Sequence, residues 1–176
     1  HVTGVQTCAL PILVPNAGIA ELGDSLDVAC FERQWAVNGA GALNTLGALR
    51  AELAKPASVV FVGTFLTRST FPGLAAYIAS KAALVAHART LAVEFAPLNV
   101  RINVVSPGPT ATAIWGTLGL PDEQLEQVAE GVTQRLLPGH FLESAAVANV
   151  ILFQLSQGAR GVYGQDWVVD NGYTLH

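Results

Sequence analysis

The sequence predicts an α/β fold built on a parallel sheet with flanking helices, and three observations carry that reading. Short runs rich in β-branched residues alternate with longer runs rich in alanine and leucine, which is the pattern of successive βα units. The chain has 176 residues, one domain's worth and enough to bury a continuous core. It is 51% hydrophobic and only 12% charged, with a mean hydropathy of +0.43. That is more apolar than an ordinary soluble domain, so its elements must be covered by something other than water.

The elements follow in order. A strand is expected over residues 13–16, ending in the tight turn Asn16-Ala17-Gly18, where glycine tolerates a positive φ. A helix follows over 27–53, stopped by Pro56, and a second strand over 58–63. The alanine-rich stretch 74–95 predicts the longest helix, stopped by Pro97. Residues 101–106 form the third strand, closed by Pro107-Gly108-Pro109. Pro121 followed by Asp122 and Glu123 marks a helix start, and that helix runs over 122–136. A last helix over 144–155 and a strand over 166–169 complete the chain. No internal repeat, linker or low-complexity segment interrupts it.

Composition also excludes several functions. A net charge of -4 with nine dispersed basic residues argues against a nucleic-acid partner. No run approaches the ~20 apolar residues of a membrane span, the longest being 147–153, and the start lacks the plan of a signal peptide, so a cytoplasmic protein is expected. Cys8 and Cys30 give no disulfide framework. His1, His87, His140 and His176 have no metal-ligand spacing; His87 reads as a residue on a helix face.

Tyr77 and Lys81 are the chemically informative pair. Standing four apart in Tyr77-Ile78-Ala79-Ser80-Lys81 on a helix, their side chains share one face with Cβ atoms about 6 Å apart. A phenol is a weak acid-base catalyst at neutral pH, but a cation held at about 4 Å favours the phenolate by roughly 4 kcal/mol at an effective dielectric near 20. That corresponds to a fall of up to about three pKa units before desolvation opposes it.

The motifs around this pair occur in a recognisable order: Asn16-Ala17-Gly18 after an apolar run, Asn38 in Ala36-Val37-Asn38, Thr64 after the run 58–63, Pro107-Gly108-Pro109 after 100–106, and Gly164 to Gly172 near the end. In order and spacing, residues 13–174 resemble the short-chain dehydrogenase/reductase family. The resemblance implies a Rossmann-like, doubly wound parallel sheet. The family's strand order is 3-2-1-4-5-6-7, of which this chain would retain the contiguous portion 4-5-6-7.

Two features depart from the family pattern. The glycine-rich turn Thr-Gly-x-x-x-Gly-x-Gly, whose amides and helix N-terminus hold the cofactor pyrophosphate, is not found. Thr3-Gly4 is the only Thr-Gly near the start, and no further glycine occurs before Gly18. Residues 2–12 look like the in-frame translation of a sequencing-library adapter, so residues 1–12 are set aside as a non-native scar and 13–176 are read as the C-terminal part of a single oxidoreductase domain. The second departure is Thr64, which occupies the position where the family usually carries its catalytic serine. Thr64 keeps the hydroxyl but adds a methyl group and a stiffer χ1; Thr67 or Ser69 in the next loop is the alternative source of that hydroxyl.

The resemblance implies NAD or NADP as cofactor and a carbonyl or secondary alcohol as substrate. Tyr77 would be the general acid-base, and Lys81 would lower its pKa and hydrogen-bond the nicotinamide ribose. Thr64 would bind the substrate oxygen, and Asn38 would interrupt the helix and hold a water linking Lys81 to solvent. Read without the family, Asn38 is an exposed polar residue in a glycine-rich helix. Asn16, Ala17 and Gly18 would lie beside the adenine ribose. Pro107, Gly108, Thr110 and Thr112 would form the loop that holds the nicotinamide carboxamide. Ile114, Trp115, Leu118 and Leu120 fall where the family places its substrate lid. Without a phosphate cradle the chain alone is expected to bind no cofactor and to be inactive. The helix over 74–95 is apolar round most of its circumference and would pair copies into a homodimer or homotetramer, unless the helix over 27–53 covers it. A cofactor-free scaffold or interaction protein is the competing reading. An α/β hydrolase is set aside because no Gly-x-Ser-x-Gly occurs.

Overall fold

The computed structural model describes residues 9–175. Thr3-Gly4, Cys8, His1 and His176 lie outside the described residues. Four parallel strands, β1 (Leu10–Leu13), β2 (Leu53–Val62), β3 (Val100–Pro107) and β4 (Asp166–Val169), form one sheet in the order β1-β2-β3-β4. The connections are helical: α1 (Val28–Trp35) and α2 (Ala42–Leu49) between β1 and β2, α3 (Ala75–Phe95) between β2 and β3, and α4 (Asp122–Thr133) and α5 (Ser144–Leu155) between β3 and β4. Parallel neighbours joined by helices are the architecture the alternating pattern demands.

Burial on both faces explains why β2 and β3 are nearly continuous apolar runs. Val59 and Phe61 of β2 and Val100, Ile102 and Val104 of β3 face a core closed by Ala42 and Leu46 of α2 and by Leu84, Val85, Ala88, Ala92 and Phe95 of α3. The alternate residues Val60 and Val105 meet Leu142 and Val147 on the opposite face, with Val150, Ile151 and Leu155 of α5 packed beside them. Two buried amides fasten that second layer: Asn103 donates to Val162 O at 2.8 Å and accepts from Gln165 N, and Gln154 donates to Val104 O.

Several boundaries differ from expectation. The first strand is Leu10–Leu13 rather than 13–16, so Leu10 and Ile12, set aside on sequence grounds, pair with β2, with the register shifting between them at Pro11. Pro15 lacks the N–H that would extend the ladder, whereas Pro11 is tolerated because β1 is an edge of the described sheet. The helix expected over 27–53 begins as read, with Asp27 accepting from Ala29 N at 2.9 Å. It is then interrupted by a wider π-helical turn over Ala36–Gly41 and ends in a tight turn over Arg50–Glu52. Leu53 belongs to β2, where it is buried and pairs with Leu10, so Pro56 lies inside that strand. Helix α4 stops at Thr133, and residues 134–136 continue as turns. Among the described residues no helix is long and apolar enough to cross a membrane.

Candidate active site

A cleft of about 680 Å³ opens at the C-terminal ends of the strands, where open α/β sheets place ligands. It gathers Asn16, Ala17 and Gly18 after β1, Thr64 after β2, Tyr77 and Lys81 from α3, and Pro107, Gly108, Thr110 and Thr112 at the end of β3. Ten of the eleven residues singled out in the sequence therefore line one cavity, although they span nearly a hundred positions. Asn38 is the exception and stands behind the wall.

Tyr77, Thr64 and Lys81 are 8%, 3% and 4% exposed. Thr64 caps the turn Phe65–Arg68, its hydroxyl accepting weakly from Leu66 N at 3.4 Å. The same hydroxyl hydrogen-bonds the Tyr77 phenol. Thr67 instead donates to the Thr64 carbonyl at 3.0 Å, and neither Thr67 nor Ser69 lines the cleft, so Thr64 is the hydroxyl that reaches the phenol. Burial pushes the Tyr77 phenol above its ordinary 10.0, with the Thr64 hydrogen bond opposing more weakly. The expectation that Lys81 holds that phenol down is therefore corrected. The ammonium is aimed at the carbonyl of Val62, 2.8 Å away, and burial is the larger influence on the phenol, with Thr64 opposing it.

Burial likewise lowers Lys81 from 10.5 to about 8, which makes a pH dependence testable on the chain itself. Between pH 8 and 10.5 the unfolded chain binds a proton at Lys81 that the folded chain has released, so stability rises with pH across that window. The buried charge weighs fully below pH 8. Urea unfolding of the parent against Lys81→Met should show the parent gaining on the variant by about 3 kcal/mol between pH 8 and 10.5. Tyr77, raised by burial, acts in the opposite sense above pH 10 but is common to both proteins. A pH-independent difference would contradict the assignment.

Asn38 is fully buried in the π-helical turn, not an exposed helix residue. Its Oδ1 accepts from Ile19 N at 2.8 Å, and its Nδ2 donates to Ile19 O at 2.9 Å and to Ser80 Oγ at 3.0 Å. Gln34, one turn earlier, grips Glu21 in the same way, with both contacts at 3.1 Å. Two side-chain amides thus pair with the loop as a neighbouring strand would, and the widened turn lets the helix present Asn38 to it. Gly18 matters through proximity and not through φ, since its φ is not positive. A Cβ there would stand 3.3 Å from Asn38 Oδ1 and 3.4 Å from Lys81 Nζ.

The residue between the two gripped ones is held from the other side of the cleft. Ala20 N donates to Thr117 Oγ1 at 3.0 Å, and that hydroxyl donates to Ala20 O at 2.8 Å or to Ile114 O at 2.7 Å. Thr117 belongs to the turn Ala113–Leu118, which roofs the cleft. Thr117→Val should speed hydrogen exchange at the Ala20 amide about 5-fold, the loss of roughly 1 kcal/mol of hydrogen bonding. Unchanged exchange would show that Thr117 does not latch the roof.

At the end of β3 the loop is held in shape by its neighbours. A Cβ on Gly108 would run into the Asp170 backbone. Leu142 N donates to Pro109 O and Ala111 N to Leu142 O, both at 2.9 Å, while the Trp115 indole donates to Thr110 O at 2.9 Å. Of the roof residues read from sequence, Ile114, Trp115 and Leu118 line the cleft and Leu120 packs behind them. Sequence reading missed Phe65, Leu66, Phe71, Leu74, Val132, Ser144 and Tyr173. Phe65 and Leu66 directly follow Thr64 and were within reach of that signal; Tyr173 enters from the last turn and had none.

Residues 4–174 match a family model described as enoyl-(acyl carrier protein) reductase. The chain belongs to the short-chain dehydrogenase/reductase family. It is 37% identical over 180 residues to 2,3-dihydro-2,3-dihydroxybenzoate dehydrogenase of Escherichia coli K12, covering 97% of this chain and 72% of that protein. It is 32% identical to cyclopentanol dehydrogenase of Comamonas testosteroni, covering 95% of this chain and 67% of that one. A crystal structure of an angucycline C-6 ketoreductase with bound NADP superimposes with a TM-score of 0.83 at 28% identity, covering 95% of this chain and 63% of its own. The chain thus spans between about three-fifths and three-quarters of the length of these relatives.

Short-chain dehydrogenases/reductases use NAD(P), and the residues lining the cleft fit such a group. Lys81 spends one of its three donors on Val62 O, Gly18 leaves the space a side chain would fill, and Thr110 and Thr112 stand at the cleft wall.

Proposed function

We propose that this chain carries the catalytic residues of an NAD(P)-dependent oxidoreductase acting on a carbonyl or secondary alcohol, with Tyr77 as general acid in reduction and general base in oxidation. The observation that supports it best is the convergence of Tyr77, Thr64 and Lys81, all nearly buried, on one cleft wall. The bound nicotinamide supplies or accepts the hydride. The raised phenol keeps Tyr77 protonated at neutral pH, so it is ready to donate to a substrate oxygen. Thr64 polarises that oxygen and orients the phenol through the hydroxyl it shares with Tyr77. Lys81 would hold the ribose end with the donors that Val62 O does not take. Asn38, fastening Ile19 and Ser80, keeps Gly18 and Lys81 in place and sits where a water linking Lys81 to solvent would be anchored. Cys30, a free and buried thiol, suits the reducing cytoplasm.

The names of the relatives span a carboxylated substrate, dihydrodihydroxybenzoate, and a neutral one, cyclopentanol; both reactions are alcohol oxidations within this proposal. The test is nicotinamide absorbance during conversion of ketones and secondary alcohols by a chimera in which the glycine-rich segment of a relative precedes β1, with the chain alone as control. Absence of any cofactor-dependent conversion across a panel of such pairs would sink the proposal. Helix α3 further supports a homodimer or homotetramer. Ala75, Ala79, Ala82, Ala86 and Val93 are exposed along it, Val93 by 74%, although α1 packs against part of the helix. Light scattering on the chimera should show a dimer or tetramer, and Val93→Glu should dissociate it; a monomeric parent would refute the interface.

A further inference from the structure

The charge pattern of the cleft narrows the substrate class, an inference that rests on the oxidoreductase reading above. Beside the hydroxyls of Tyr77 and Thr64 the wall carries Phe65, Leu66, Phe71, Leu74, Ile114 and Leu118, and the further hydroxyls of Thr117, Ser144 and Tyr173 that line the cleft are neutral. Lys81 is the only cation and the only charged residue among the described residues that line it, and its head group lies toward Gly18 and the Val62 carbonyl. Two arginines come near but are engaged elsewhere. Arg135 lies against Tyr173, 3.9 Å from the ring centroid, and donates to its hydroxyl at 2.9 Å. Arg68 is turned to Asp166, donating to its carbonyl at 2.9 Å. A carboxylate entering this wall would lose its hydration with no cation or cluster of N–H donors to replace it, which ordinary hydrophobic contact cannot offset.

We propose that the cleft selects neutral, apolar ketones and secondary alcohols and rejects their carboxylated analogues. Specificity here comes from the absence of a partner for the anion as much as from attraction for the neutral compound.

The test uses the full chain and a matched pair of probes, acetophenone and 4-acetylbenzoate, which differ by one carboxylate. Binding followed by saturation-transfer NMR at pH 7 should show the neutral ketone at least ~10-fold tighter than the anion, with transfer from Tyr77-side resonances. Ile114→Arg, which adds a cation at the partly exposed roof, should raise the affinity ratio of carboxylate to neutral probe by ~10-fold or more. Equal or tighter binding of 4-acetylbenzoate by the parent, or binding of neither probe, would overturn the inference. Turnover by the chimera separates this result from the reaction reading. Selective binding of acetophenone without cofactor-dependent conversion of any ketone would defeat the reaction and leave the selectivity standing. Conversion that favours the carboxylate would do the reverse.

Discussion

Tyr77→Phe in the chimera is expected to lower turnover by at least ~10²-fold while leaving cofactor affinity nearly unchanged, because it removes the buried phenolic proton donor of the cleft wall. The phenylalanine ring fills the same volume, so the cluster of Leu66, Leu74 and Leu118 around it stays packed. The loss should fall on kcat and kcat/KM together, the signature of an interaction made in the transition state. Thr64 gives the matching contrast. Thr64→Val removes the hydroxyl that orients the phenol and should slow turnover, whereas Thr64→Ser retains it and should be neutral or faster. A Tyr77→Phe protein with full turnover would remove Tyr77 from the chemistry. Full turnover in Thr64→Val would remove only its partner.

Asn38→Ala should destabilise the folded chain by about 3 kcal/mol, the largest effect expected from a change outside the cleft lining. Three hydrogen bonds of 2.8 to 3.0 Å are lost at a site with no solvent exposure, and the N–H and C=O of Ile19 are left without partners. The midpoint of urea unfolding should fall with little change in slope, and exchange at the Ile19 amide should accelerate more than at strand amides of β2 and β3. A loss below about 1 kcal/mol would mean that water replaces the amide and that Asn38 does not organise the loop.

Much of this was legible along the chain because the deciding patterns are local. The β-branched runs at 58–63 and 101–106 and the alanine-rich run at 74–95 are long and uniform, and the observed elements overlap them closely. The turn at Pro121 reads from its own residues. The first strand was misplaced by three residues because 10–16 is a short apolar run in which Pro11 and Pro15 send the same local signal. Only pairing with Leu53 and Val59 distinguishes the edge position that accepts a proline from the one that ends the ladder.

By itself, then, the sequence determined the alternation of elements and the parallel sheet through hydrophobic period, and, through the family resemblance that motif order carries, ten of the residues that share the cleft. Tertiary structure alone decided the electrostatics and the walls. Whether the Tyr77 phenol is pulled down by Lys81 or pushed up by burial depends on where the ammonium finds an acceptor, and Val62 O supplies it from another element. That Asn38 is a buried clamp rather than a surface amide follows from the approach of residues 19–21 to a widened helical turn. The apolar wall joins Phe65, Leu118 and Tyr173, far apart in the chain. Desolvation and contact depend on distances between elements, and no window along the sequence contains them.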